Sequence, residues 1–132
     1  MASLFTKIIA GEIPCQRVWE DPDHIAFLDI HPVQPGHTLV VPKREVGYLF
    51  DLDQDEYEAL WRAVRAVESK LRETLGCERV VISVVGWEVA HVHVHLIPTH
   101  GLGDFAFPQP CDATAEELER AANLLCMKEE DS

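Results

Sequence analysis

Residues 90–98 read AHVHVHLIP, placing His91, His93 and His95 on every second position with aliphatic residues between them. Successive side chains of an extended strand point to opposite faces. This stretch would therefore set three imidazoles on one side and Val92, Val94 and Leu96 on the other. Imidazole titrates near neutral pH and serves as nucleophile, proton carrier or metal ligand. One reading is an exposed polar face with no role. A second is a metal site, because histidines two apart on a strand can share one zinc. His91 and His95 cannot, being roughly 13 Å apart at ~3.3 Å per residue, so such a site would need a carboxylate such as Asp29 or Glu88. A third is catalysis, with the middle ring freed for attack by a neighbour that fixes its tautomer. The flanking rings would then hold an oxyanion or protonate a leaving group. Only the third reading uses all three residues.

The elements that must carry these rings can be read from periodicity. Phe5, Ile8 and Ile9 step at helical spacing within Leu4 to Ala10, ahead of Gly11 and Pro14. The run RVWEDPDHIAFLDIHP suggests a short strand, a turn at Asp21-Pro22-Asp23, and a returning strand from His24 to Asp29. A third strand, His37 to Val41, is bracketed by Pro35-Gly36 and Pro42. Residues 54–75 form the long helix, with Tyr57, Leu60, Trp61, Val64, Val67, Leu71 and Leu75 stepping by three and four. Asp53 with Glu56 makes a capping box before it, and Gly76 is placed to end it. The β-branched run 79–85 reads as a central strand, Gly86 to Ala90 as a turn, and His91 to Ile97 as the last strand. Thr114 with Glu117 opens a C-terminal helix within 113–127, with Leu118, Ala121, Ala122 and Leu125 on one face, and 128–132 is a solvated tail. Strands, a long helix and more strands imply an α+β domain built on an antiparallel sheet, spanning 1–132 without a linker.

The chain of 132 residues carries 23 acidic and 11 basic side chains, for a net charge of −12. That balance argues against a nucleic-acid polymer as partner, which requires basic patches. It leaves room for a small anion held by imidazoles and backbone N–H groups. No apolar run approaches the ~20 residues of a membrane span. The N-terminal stretch MASLFTKIIAGEIP lacks a secretory h-region, so the expected location is the cytoplasm. Cys15, Cys77, Cys111 and Cys126 form no close pair and are expected to be free thiols.

The stretch HVHVHLIP resembles the His-x-His-x-His signature of the histidine triad (HIT) family. LFTKIIAGEIP is similar to the N-terminal segment of its nucleoside-phosphoramidase branch, and DIHPVQPGHTLVVPK to its ribose-side loop and following strand. The likeness runs from about residue 4 to 98, and EVAHVHVHLIPTHGLGDFAF is similar to a bacterial subgroup. The resemblance implies a HIT-like fold: an antiparallel sheet of about five strands, one long central helix and a C-terminal helix. It implies a homodimer that continues the sheet across two chains. It also implies hydrolysis or transfer at the α-phosphate of a purine nucleotide, through a nucleotidyl intermediate on His93 and without a cofactor. His95 and His37 match positions around the phosphate, and His91 the one whose backbone carbonyl orients the His93 ring. Asp29 matches the residue that holds the ribose hydroxyls. Phe5, Ile8, Phe27 and Ile30 match an apolar slot for the base. His24, His31 and His100 match nothing catalytic and are expected at the surface.

Two departures stand out. Many bacterial relatives carry a cysteine pair that contributes to a structural zinc site, and the aligned residues here are Ser3 and Thr6, so no bound metal is expected. The residues ahead of the triad that usually contact phosphate oxygens or the leaving group are here Trp87 and Glu88. The favoured substrate is a nucleoside phosphoramidate or a related anhydride. The rivals are a nucleotide-binding protein with little turnover, a dinucleoside polyphosphate hydrolase and a metal-dependent hydrolase.

Overall fold

The computed structural model describes residues 2–126. In chain order the elements are α1 (Leu4–Ile9), β1 (Arg17–Glu20), β2 (His24–Leu28), β3 (Thr38–Pro42), α2 (Gln54–Leu75), β4 (Arg79–Ser83), β5 (Val94–Thr99) and α3 (Ala115–Leu125), with short 3-10 turns at Leu49–Asp51 and Leu102–Asp104. The strands form one antiparallel sheet in the order β1-β2-β3-β5-β4. A capping box of Asp53 and Glu56 starts α2, and Gly76 ends it at φ +66°. Both ends are therefore set by local chemistry.

Parity along the strands divides the interior in two. Ala26, Val40, Val94 and Leu96 pack against Leu60, Val64, Val67 and Leu71 of α2. Ile25, Phe27, Leu39 and Val41 face the other way, with Phe5 of α1. β2 and β3 are thus covered on both faces, which explains why their side chains are buried almost without interruption. His95 pairs with Leu39, and Leu39 with Phe27, which puts the last triad histidine on the α1 side of the sheet.

Several expectations need correction. The strand in 79–85 lies at the edge of the sheet, with Ile82, Val84 and Val85 exposed. β-Branched residues mark a strand but not its place in the sheet. The last strand begins at Val94 rather than His91 because the preceding backbone is engaged elsewhere. Val92 N–H donates to the Val46 carbonyl at 2.8 Å, and the His91 carbonyl accepts from a side chain. His24 is buried, with Nδ1 3.0 Å from Asp21 across the β1–β2 turn, and is not a surface residue. The apolar stripe of α3 is exposed among the described residues: Leu118 is 61% exposed and Leu125 75%. The four cysteines are unpaired. The proposed tail, 128–132, and residue 127 of the proposed helix lie outside the described residues.

Candidate active site

The turn before β3 depends on Gly36, whose φ of +89° strains any residue with a Cβ. A Cβ there would lie 2.5 Å from Leu75 Cδ1. This turn delivers His37, which is buried. Its Nδ1 accepts the Val33 backbone N–H at 3.0 Å, so the ring hydrogen sits on Nε2. Nε2–H in turn donates to His95 Nδ1 at 3.0 Å, which leaves His95 with its own hydrogen on Nε2. A backbone amide therefore sets the tautomers of two rings in series.

A parallel derivation holds for the other pair. The Pro42 carbonyl, 2.7 Å from His91 Nε2, can only accept, so Nε2 is the protonated nitrogen and Nδ1 takes the Ser3 hydroxyl hydrogen at 2.7 Å. The His91 carbonyl likewise accepts from His93 Nδ1–H at 2.7 Å. That leaves a lone pair on His93 Nε2, which has no hydrogen-bond partner among the described residues and is not sealed from solvent. Phe5 lies edge-on to the His93 ring with centroids 4.8 Å apart, and His95 does so at 5.0 Å. The geometry supplies an oriented imidazole with its second nitrogen facing the open side.

His93 and His95 open onto a cleft of about 350 Å³, a size suited to a nucleotide-like molecule. Phe5, Ile8, Phe27, Asp29, Ile30 and Glu88 also line it. His37 and His91 do not; they stand behind the rings that do. Phe5 and Phe27 are buried, whereas Ile30 is 84% exposed at the rim. Asp29 is half-buried: Oδ1 accepts the His31 N–H at 2.8 Å, capping a turn, while Oδ2 lies 3.6 Å from His37 Nε2. Trp87 is 92% exposed and outside the cleft. Residues 84–93 are not regular strand, and Gly86 has φ +78°, so strict alternation fails there and Glu88 can share the cleft with the odd-numbered histidines. Leu39, Val89 and Cys15 line the cleft too. Leu39 was discernible from its parity with His37. His31, an exposed residue, sits at the rim, and His100 is exposed outside it.

Burial sets the charge state. It pushes the His95 imidazole down to about 4, reinforced by the neighbouring His93 and His37 rings. It also lowers His37, against the pull of Asp29, and His91, against the Pro42 carbonyl and Glu45. All three stay neutral at pH 7.

Asp29, His37 and His95 bring one possible ligand atom each to within 4.8 Å of one another. The His37 nitrogen on that side, however, carries the hydrogen. Moving it to Nδ1 would set it against the Val33 N–H, so the trio is ill-suited to a cation. Ser3 and Thr6 offer hydroxyls rather than thiolates. They bond instead to His91 and Glu45, and do not fit a zinc site.

The HIT domain family matches residues 10–102. This chain belongs to the HIT family. Protein hit of Bacillus subtilis is 35% identical over 108 residues, 76% of this chain and 73% of that one. Adenosine 5'-monophosphoramidase of Schizosaccharomyces pombe is 32% identical over 112 residues, 78% of this chain and 81% of that one. The crystal structure of a HIT family member from Bacillus subtilis superposes with a TM-score of 0.82 at 29% identity, covering 100% of both chains. The five-stranded antiparallel sheet with its long helix is accordingly the HIT fold.

Proposed function

We propose that this HIT protein is a cytoplasmic hydrolase that cleaves purine nucleoside phosphoramidates, or related nucleotide anhydrides, at the α-phosphate through a nucleotidyl intermediate on His93. The observation that carries the reading is the His93 Nδ1–H bond to the His91 carbonyl, which leaves Nε2 as a lone pair beside the cleft. Similarity to an adenosine 5'-monophosphoramidase supports the substrate class. In the first step Nε2 bonds to phosphorus while the phosphorus–nitrogen bond breaks. The amine leaves with a proton from cleft water. Positive charge growing on the His93 ring is stabilised by the carbonyl at Nδ1. His95 stays neutral and donates Nε2–H to a phosphoryl oxygen, so it acts as an electrostatic stabiliser. Water then attacks phosphorus, the bond to Nε2 breaks, and nucleoside monophosphate leaves as water's proton passes to solvent. Dividing one displacement into two is the benefit of a covalent nucleophile. Asp29 would hold the ribose, and Phe5, Ile8, Phe27 and Ile30 the base.

Single-turnover reaction with adenosine 5'-phosphoramidate should give AMP preceded by a transient AMP–protein adduct. A shift in melting temperature with no AMP released would overturn the reading in favour of a binding protein. Activity should be unchanged by EDTA, with no stoichiometric zinc by elemental analysis. Loss of activity on chelation would favour a metal-dependent hydrolase.

Glu88 bears on specificity. A carboxylate ~4 Å from a second phosphate costs roughly 1 to 4 kcal/mol per charge pair, and the exposure of Glu88 favours the lower end. An amine leaving group has no such cost. The ratio of kcat/KM for phosphoramidate over dinucleoside polyphosphate should favour the former, and Glu88→Gln should reduce it about fivefold, near 1 kcal/mol. Equal ratios in the two proteins would mean that Glu88 faces solvent.

The protein is further proposed to act as a homodimer. Among the described residues β4 presents an unpaired edge and the apolar stripe of α3 is exposed, both of which a second copy would satisfy. Sedimentation equilibrium should return twice the mass of the 14.9 kDa chain. A monomer at micromolar concentration would exclude this arrangement.

A further inference from the structure

Ser3, Thr6 and Glu45 lie outside the cleft, yet they form a cluster around the buried His91 ring. One Glu45 oxygen, Oε1, accepts the Ser3 backbone N–H at 2.6 Å and the Thr6 hydroxyl at 2.7 Å. Ser3 Oγ accepts the Thr6 N–H at 3.0 Å, capping α1, and its own hydrogen goes to His91 Nδ1 at 2.7 Å. Thr6 Oγ1 is 3.4 Å from the same nitrogen, and the carboxylate oxygen 4.0 Å. On the far side of the ring, Nε2–H is held by Pro42. Glu45 and Pro42 belong to the same short stretch at the end of β3. The ring is thus gripped at both nitrogens between that stretch and the cap of α1.

The grip reaches His93 by two routes. His91's carbonyl holds His93 Nδ1–H, so fixing the ring and backbone of residue 91 fixes the tautomer of residue 93. Phe5, between Ser3 and Thr6 in sequence, packs edge-on against the His93 ring. At six residues α1 is too short to hold itself together in water, so its docking needs an anchor from elsewhere. The Ser3 amide and Thr6 hydroxyl hold the Glu45 carboxyl at about 2, so the anchor remains charged throughout the physiological range. A carboxylate that receives two donors from a helix cap is a strong fixed acceptor.

We infer that Glu45 is a positioning residue for the nucleophile: through Ser3 and Thr6 it docks α1 onto His91 and thereby fixes the tautomer and orientation of His93. The hydrogen-bonded cluster occupies the place where the Ser3 and Thr6 hydroxyls do not suit a metal. This inference rests on the proposed role of His93, but its first test does not depend on turnover. In long-range ¹H–¹⁵N spectra of the whole protein, His91 should show a hydrogen on Nε2 and His93 one on Nδ1. Glu45→Ala should mix the His93 tautomers, and Glu45→Gln, which retains an acceptor oxygen, should restore a single one. In kinetics with adenosine 5'-phosphoramidate, Glu45→Ala should lower kcat about tenfold or more, as displacement of a reacting group does, with KM changed less than about twofold. Glu45→Gln should recover most of the loss. Ser3→Ala, which removes the Oγ contacts to His91 Nδ1, the Thr6 N–H and Thr6 Oγ1 while leaving the Ser3 backbone N–H on Glu45, should reproduce the tautomer mixing and serves as the test if Glu45→Ala does not fold. An unmixed His93 tautomer in the folded Glu45→Ala protein, or in Ser3→Ala if the former is unfolded, overturns the inference. So does an equal loss of kcat in Glu45→Ala and Glu45→Gln. A protein that shows the tautomer effect but no AMP release in wild type retains the positioning role and loses the proposed reaction.

Discussion

Replacing His93 with asparagine is expected to reduce single-turnover release of nucleoside monophosphate by about 10⁴-fold or more, the scale on which a covalent nucleophile is missed. Nucleotide affinity should change little, because the residues proposed to hold the base and ribose, Ile8, Phe27, Ile30 and Asp29 among them, remain in the cleft. The amide fills part of the space beside Phe5 and can still donate to the His91 carbonyl, so the fold should survive. Wild-type protein quenched during turnover should carry an acid-labile nucleotidyl group on the peptide containing His93. Tandem mass spectrometry can assign the residue, since His91 and His95 lie on either side. The tautomers provide the reason to expect His93. His91 has both nitrogens engaged, and His95 presents a hydrogen rather than a lone pair on its free nitrogen. A label on His91 or His95, or ordinary activity in His93→Asn, would overturn the assignment.

Lowering the pH from 7 to 5 is expected to destabilise the fold. His37, His91 and His95 titrate below their ordinary value near about 6.5. The unfolded chain therefore takes up protons over an interval in which the folded chain does not. Stability is complete above about pH 6.5 and is lost as the pH falls, for His95 down to about 4. Each histidine contributes a slope of up to roughly 1.4 kcal/mol per pH unit within its interval. A few such units lower the melting temperature by several degrees. The carboxylates do not obscure the window. Glu45 and Glu56, both held at about 2, begin to matter only once the unfolded carboxyls protonate below pH 5. Thermal melts at pH 7 and pH 5 check this; an equal or higher melting temperature at pH 5 would show that the buried rings are not neutral in the native state.

What sequence made legible here was what is encoded locally. The bounds of α2 follow from Asp53, Glu56 and Gly76, and the alternation of triad histidines with core valines follows from strand parity even where no regular strand forms. The edge position of β4 was not legible, since pairing order depends on contacts between distant segments. Nor was the late start of β5, which turns on the Val92 bond to Val46 and the His91 carbonyl taken by the His93 ring. The Ser3–His91 and Ser3–Glu45 contacts join residues 88 and 42 apart. No period or motif announces such pairs. His24 lacked a resemblance to any catalytic position, but the partner that allows its burial, Asp21, sits only three residues away and could have been noticed.

The order β1-β2-β3-β5-β4 has a consequence for how the molecule comes to be active. β1 with β2, and β2 with β3, are neighbours in sequence and can pair as soon as they exist. Pairing of β3 with β5 must instead close a loop of about fifty residues, an entropic toll that places it late in folding. His37 stands at the start of β3 and His95 within β5, so their mutual hydrogen bond arises only with that closure. A chain emerging from the ribosome can have its first hairpins and α2 in place, with His37 held by Val33, and still lack His91, His93 and His95. Competence should therefore emerge in one step with the final non-local contact, and refolding followed by activity should match the slowest structural phase rather than the growth of helix.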